Sequence, residues 1–218
     1  MRHFIEPNSF SRNEQLALLD LADRMEANPA PYAHLCDGRI LATLFYEPST
    51  RTRLSFESAM LRLGGKTLGF AGAQLSSASK GETVEDTARV VSNYADVIAM
   101  SVPSTPATRH LLNAERISKL KNDAIIINAG RGNAIESQAL ADALAEGRIR
   151  GAALDVTEPE PLPADSPLWR EPRCLITPHV AGGNHLEITE RRIIAIALGN
   201  VRCYANGQSL DNRMPLKG

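Results

Sequence analysis

RILATLFYEPSTRTRLSFESAMLRLGGKTLGF, residues 39–70, spells one strand–helix–strand unit in order. Arg39–Tyr46 is a continuous apolar run, the pattern of a strand buried on both faces. Ser49 stands where a helix N-cap belongs, and Phe56, Ala59, Met60 and Leu63 then fall on one helical face. Gly64 and Gly65 stop that helix, and Lys66–Phe70 is a second short strand.

The same alternation runs through the rest of the chain. Upstream, Ser11 to Glu14 has the spacing of a capping box, followed by Leu18, Leu21, Ala22 and Met25 on an inward face, with Pro29 and Pro31 ending the helix. Downstream, Thr83 to Asp86 opens another helix with Val84, Ala88, Val91 and Tyr94 inward, and Asp96–Ser101 is a strand. Asn113 caps a short helix, Ser137–Glu146 is helical with Gly147 at its end, and Leu186–Ala205 is a long helix closed by Asn206 and Gly207. Ala124–Asn128, Gly151–Val156 and Cys174–Thr177 complete six strands. This pattern predicts an α/β fold: a doubly wound, mostly parallel six-stranded sheet, Rossmann-like, with helices on both faces and strand order 3-2-1-4-5-6. No stretch has the composition of a linker, so residues 1–218 read as one domain.

Composition narrows the partners. Lys and Arg number 24 against 25 Asp and Glu, a net charge of −1, which gives no general attraction to nucleic acid or an anionic membrane. Cys36, Cys174 and Cys203 are scattered and form no metal-ligand spacing, so reduced thiols in a cytoplasmic protein and no metal are expected. No 18-residue apolar run is present, and the first residues lack the apolar core of a signal peptide. Any anion site is therefore local. Ser49-Thr50-Arg51-Thr52-Arg53 is one candidate, because a helix start offers N–H donors and positive dipole, and arginine adds charge-assisted bonds. From spacing alone, an ordinary serine cap followed by solvated arginines reads equally well.

Residues 1–100 resemble the carbamoyl-phosphate domain of aspartate carbamoyltransferases, carried by FYEPSTRTRLSFESAMLRLGG and SSASKGETVEDTARVVSNYADVIAM. The resemblance implies that Ser49, Thr50, Arg51 and Thr52 hold a phosphate. It also implies that Ser76 and Lys80 belong to a loop reaching a neighbouring subunit's site, hence a homo-oligomer. After Met100 the family continues with an Arg-His-Pro-like stretch, whereas this chain has Ser101-Val102-Pro103; the His-Pro-Thr-Gln motif and the aspartate-binding domain are absent.

From Ser101 the sequence resembles the nucleotide domain of D-2-hydroxyacid dehydrogenases, carried by SVPSTPATRHLLNAE, KLKNDAIIINAGRGNAIE, GRIRGAALDVTEPEPLPADSPLW and CLITPHVAGG. The resemblance implies a catalytic trio of Arg131, Glu160 and His179, with Asp155 holding the nicotinamide amide. The residues agree in placement: Arg131, Asp155 and His179 follow or end predicted strands, at the edge where such sheets bind ligands. A carboxylate beside a histidine favours the protonated imidazole that proton transfer uses. Read without the family, His179 after Pro178 is better explained as a loop-capping residue. The glycine-rich dinucleotide fingerprint, the acidic residue after the second strand and the substrate domain are missing. Weak NAD binding or none is expected.

The change falls at DVIAM–SVPST, in or just after the third strand. The expectation is a chimera, engineered or recombined from two natural fragments, with no complete active site and a leftover site for phosphate or another small anion. A residual NAD-dependent 2-hydroxyacid oxidoreductase and a residual carbamoyl-phosphate-binding transferase fragment are the alternatives.

Overall fold

The computed structural model describes residues 3, 5, 10–46, 49–71, 83–181 and 187–210. Ser76 and Lys80, and the side chains of Val84 and Ala88, lie outside the described residues. The chain divides into two compact units, residues 1–181 and 182–218. The first holds strands β1 (Ile40–Phe45), β2 (Lys66–Ala71), β3 (Val97–Ser101), β4 (Ile125–Asn128), β5 (Gly151–Leu154) and β6 (Cys174–Ile176). Its helices are α1 (Arg12–Ala27), α2 (Thr50–Arg62), α3 (Val84–Ser92), α4 (Ala114–Ile117) and α5 (Ser137–Ala145). The second holds α6 (Glu187–Ala205), whose end is turned by Gly207 at φ +65°.

All six strands pair in parallel in the order β2-β1-β3-β4-β5-β6. The Rossmann-like class holds, but the expected order 3-2-1-4-5-6 does not. Among the described residues only β2 lies beyond β1, and the crossover through α3 returns to place β3 on the other side of β1. Right-handed crossovers dictate this: α2 carries the chain one way along the sheet, and α3, on the opposite face, carries it back past β1. The strand that the sequence counts as third therefore takes the place of the fourth in the six-strand order, and among the described residues one strand fewer lies beyond β1 than that order has.

β3 is thus central. Val97–Ser101 pairs with Leu41–Phe45 on one side, Val97–Met100 pairs with Ile125–Asn128 on the other, and the Tyr46 N–H donates to the Ser101 carbonyl at 3.0 Å. Both faces of the middle strands are buried. Ala42, Leu44, Ile98, Met100, Ile126 and Leu154 pack with Val91 of α3, Ile117 of α4 and Leu140 and Leu144 of α5. On the other face Leu41 and Ala99 meet Met60 and the half-buried Phe56 of α2. Farther along that face Ile127, Ala153 and Leu175 are half-buried.

Local sequence explains the helix ends. Ser11 with Glu14, and Thr83 with Asp86, form reciprocal capping boxes, and the Asn113 side chain accepts from the Arg116 N–H. Gly64 closes α2 at φ +87°, where a Cβ would lie 2.2 Å from the Ala33 carbonyl oxygen, so only glycine fits. Two expected inward faces differ. No residue of α1 is buried: Leu18, Leu21 and Ala22 are exposed and Met25 is half-buried. Tyr94, just past the end of α3, is exposed as well. The 3.6-residue period makes a helix amphipathic, but it does not supply the surface that would cover it. Among the described residues no helix is long and apolar enough to cross a membrane.

Candidate functional site

The carboxyl edge of the sheet gathers the candidate residues. β1 and β3 are neighbours whose following segments leave in opposite directions, so the crevice between their ends is the topological switch point. There Ser49 precedes α2 as its N-cap, yet its side chain makes no capping bond, contrary to the simple cap reading. Thr50 and Arg51 are exposed, and Ser49 and Thr52 are half-buried. Arg53 is drawn back along the helix, 3.7 Å from Glu57, which accepts a hydrogen bond from the buried Thr43 hydroxyl at 2.9 Å. That leaves Arg51 as the arginine at the turn itself.

The dehydrogenase-like residues sit after β4, β5 and β6. Buried Asn128 ends β4; its Oδ1 accepts from the Gly130 N–H at 3.1 Å, and its Nδ2 donates to the Arg131 carbonyl at 2.9 Å. Gly130 is required by close approach, since a Cβ there would lie 2.8 Å from Ser101 Cα. The Arg131 guanidinium is exposed and donates to the Gly130 carbonyl at 3.0 Å. Asp155, just past β5, is buried and gives both oxygens to the loop after β6. Oδ1 accepts from the Thr177 hydroxyl at 2.6 Å and the Val180 N–H at 2.9 Å, and Oδ2 accepts from the Ala181 N–H at 2.8 Å. This grip holds His179 at φ +56°, a left-handed conformation uncommon for a residue with a Cβ. His179 Nδ1 lies 2.7 Å from Glu160 Oε1, with both side chains about half exposed.

Asp155, Glu160, Thr177 and His179 line one cleft of about 240 Å³, with Trp169 and Ile5 on its apolar wall. Arg131 stands outside that lining. A second apolar cleft on the α2 face, also about 240 Å³, is lined by Phe56, Ile127, Leu175 and Val180 and touches Asp155. The Ser49–Thr52 turn at the end of β1 and the His179 loop at the end of β6 are separated by β3, β4 and β5.

Sequence reading missed a second acid–base cluster. Glu158 Oε1 accepts from Arg109 at 2.6 Å, and its Oε2 lies 2.8 Å from His110 Nε2. Partial burial pushes the Glu158 carboxyl up, and the hydrogen bonds from His110 and Arg109 more than offset that, holding it below the usual carboxylate range. Charged residues in the turns TRH and TEPEP were the available signal. Among the described residues no group of three His, Cys, Asp or Glu side chains is arranged to hold a metal.

A dinucleotide fits this edge poorly. Close approach of a pyrophosphate needs bare backbone at the first turn, and Ser49, Thr50, Arg51 and Thr52 put side chains there. β2 ends in Gly69-Phe70-Ala71, without a carboxylate for a ribose. Asp155, the residue matched to the amide, already accepts three hydrogen bonds from its own chain.

Residues 56–181 match the family model of the D-isomer specific 2-hydroxyacid dehydrogenase, NAD binding domain. The chain belongs to this dehydrogenase family. The match to the dehydrogenase begins inside α2, past the turn where the glycine fingerprint would stand. A D-isomer specific 2-hydroxyacid dehydrogenase family protein from Aeromonas salmonicida subsp. salmonicida A449 is 31% identical with a TM-score of 0.62, over 92% of this chain and 64% of that one. A D-isomer specific 2-hydroxyacid dehydrogenase from Xanthobacter autotrophicus Py2, solved with NADPH and MES, is 28% identical with a TM-score of 0.55, over 82% of this chain and 55% of that one.

The second likeness of this dehydrogenase-family chain is to aspartate carbamoyltransferases. The catalytic subunit from Clostridium novyi (strain NT) is 52% identical over 151 residues, 69% of this chain and 47% of the relative. The chain spans about half the length of the curated relatives it matches. A match of 151 residues extends beyond the first hundred, and the dehydrogenase match starts before Ser101, so the two likenesses overlap.

Proposed function

We propose that this chain is a recombined or engineered α/β domain that joins two natural fragments in β3, binds phosphate or another small anion at the β1–α2 turn, and completes the reaction of neither parent. The observation that carries it is the turn itself: hydroxyl residues and Arg51 surround the start of α2 at the switch crevice, where a dehydrogenase would need glycines. The leading N–H groups of a helix have no acceptor within it, and an anion there gains dipole and charge-assisted bonds. Carbamoyl transfer requires two positioned substrates and oxyanion stabilisation. Ser101-Val102-Pro103 replaces the arginine-bearing stretch, and Ser101 and Val102 are buried in the sheet edge.

Thermal unfolding with added inorganic phosphate or carbamoyl phosphate tests the anion site. A ligand at ten times its dissociation constant stabilises by about 1.4 kcal/mol, and each kcal/mol raises the midpoint by about 2–4 °C in a chain of this size. The rise should shrink in Arg51→Ala. No rise at tens of millimolar ligand would contradict the site. Purified protein with carbamoyl phosphate and aspartate should form no carbamoyl-aspartate.

A residual NAD-dependent oxidoreductase is the second reading, favoured by the Glu160–His179 contact at 2.7 Å. Energy transfer from Trp169, the one tryptophan, to added NADH discriminates it. The first reading expects little transfer; saturable transfer at micromolar NADH would establish the second.

A further inference from the structure

The Arg109–His110–Glu158 cluster lies two residues from Glu160, and neither likeness assigns it a role. Three loops meet there. The loop after β3 brings Arg109 and His110. The loop after β4 holds His110 in place, because the His110 N–H donates to the Asn133 carbonyl at 2.7 Å and fixes that residue at φ +49°. The loop after β5 brings Glu158, whose carbonyl accepts from the Ser137 hydroxyl at 2.8 Å, at the start of α5. Glu158 is therefore gripped at its carboxylate by two donors and at its backbone by a third. Between it and His179 stands the segment Glu158-Pro159-Glu160-Pro161. Each proline ring fixes its own φ, so the segment has few soft torsions. Fixing one end of such a segment constrains the other.

We propose that Arg109 and His110, acting through Glu158, are positioning residues that hold Glu160 against His179. The inference rests on the dehydrogenase-like reading of the Glu160–His179 pair and is independent of the anion turn. The clamp also makes that pair depend on contacts between the loops after β3 and β5. Disturbance at Arg109 is then felt at His179 without Arg109 touching it.

The test is the nuclear Overhauser contact between the His179 ring and the Glu160 side chain, followed by NMR in the full-length chain and assigned by its loss in His179→Gln. No cofactor, substrate or turnover is needed, so the outcome stands apart from success or failure of NADH binding. Arg109→Met is the discriminating variant, because Arg109 is 55% exposed and its loss leaves the core intact. Loss of positioning weakens the contact in Arg109→Met and weakens it further in Glu158→Ala, while the amide signals of the sheet stay in place and Arg109→Lys restores it. An undiminished contact in Arg109→Met overturns the proposal, whether or not Glu158→Ala folds.

Discussion

Asp155 illustrates how one buried carboxylate can organise a loop. Three donors converge on it, two of them backbone N–H groups flanking the His179 turn. Asp155→Ala leaves those donors without their acceptor, a loss of about 1–3 kcal/mol, to be read from the urea midpoint. The same variant should loosen His179 and broaden its NMR signal. Cys174 makes a second residue-scale case. It is fully buried, and burial, with Glu171 nearby, pushes its thiol up to about 12. Thiolate is the reactive form, so at pH 8 a thiol reagent should modify Cys36 and Cys203 in the native protein and reach Cys174 only on unfolding. Fast native labelling of Cys174 would contradict its burial. Residue chemistry of this kind was only partly legible in sequence. Glu160 and His179 were found by likeness, whereas the Asp155 grip depends on which loop folds over β5, and that no local pattern encodes.

At the level of elements, the amino edge of the sheet carries an ion-pair network that ties distant segments together. Asp96 Oδ1 accepts from Lys121 at 2.6 Å and its Oδ2 from the Ile40 N–H at 2.9 Å, while Arg39 bridges to Asp123 at 2.7 Å. Burial pushes the Asp96 carboxyl up, but the Lys121 and Ile40 bonds and the charges of Lys121 and Arg39 outweigh it and hold the group below its usual range. A carboxyl depressed on folding stabilises the fold above its unfolded pKa, about 3.9, and that contribution is lost as pH falls through the folded value. Stability should therefore drop below about pH 4, and Asp96→Asn should flatten the drop while costing about 1–2 kcal/mol at neutral pH. Acid titration of the urea midpoint in both proteins checks the sign.

Strands and helices contrast sharply in what substitution should cost. Met100→Ala, in the buried middle of β3, should cost about 2–5 kcal/mol. Leu18→Ala on exposed α1 should stay within about 0.5 kcal/mol. Strand positions and capping boxes were readable because apolar runs and local side-chain-to-backbone bonds are sequence-local. The uncovered face of α1 was not, because its period records only that a partner surface could exist.

For the whole molecule, strand order is the property that sequence could not supply. Six strands and their hand were legible, but the order turned on how many strand–helix units precede the return crossover, and β3 came to lie between β1 and β4. That position puts Val97–Ser101, which both likenesses cover, inside the most central part of the sheet. A strand buried on both faces needs only apolar residues of the right size, so two families can share its pattern without new packing rules. The Ser49–Thr52 turn and the His179 cleft stand apart on that sheet, with β3, β4 and β5 between them.

Native-state hydrogen exchange across the sheet measures this most directly. If β3 joins the β1–β2 edge to β4 and β5 in one cooperative unit, the amides of Ala42, Ile98 and Ile126 exchange with one shared opening free energy, equal to that of global unfolding. If Ala42 opens at a lower free energy than Ile126, with the β1–β2 edge unfolding while β4 and β5 stay protected, the two sides of β3 do not form a single sheet-wide fold.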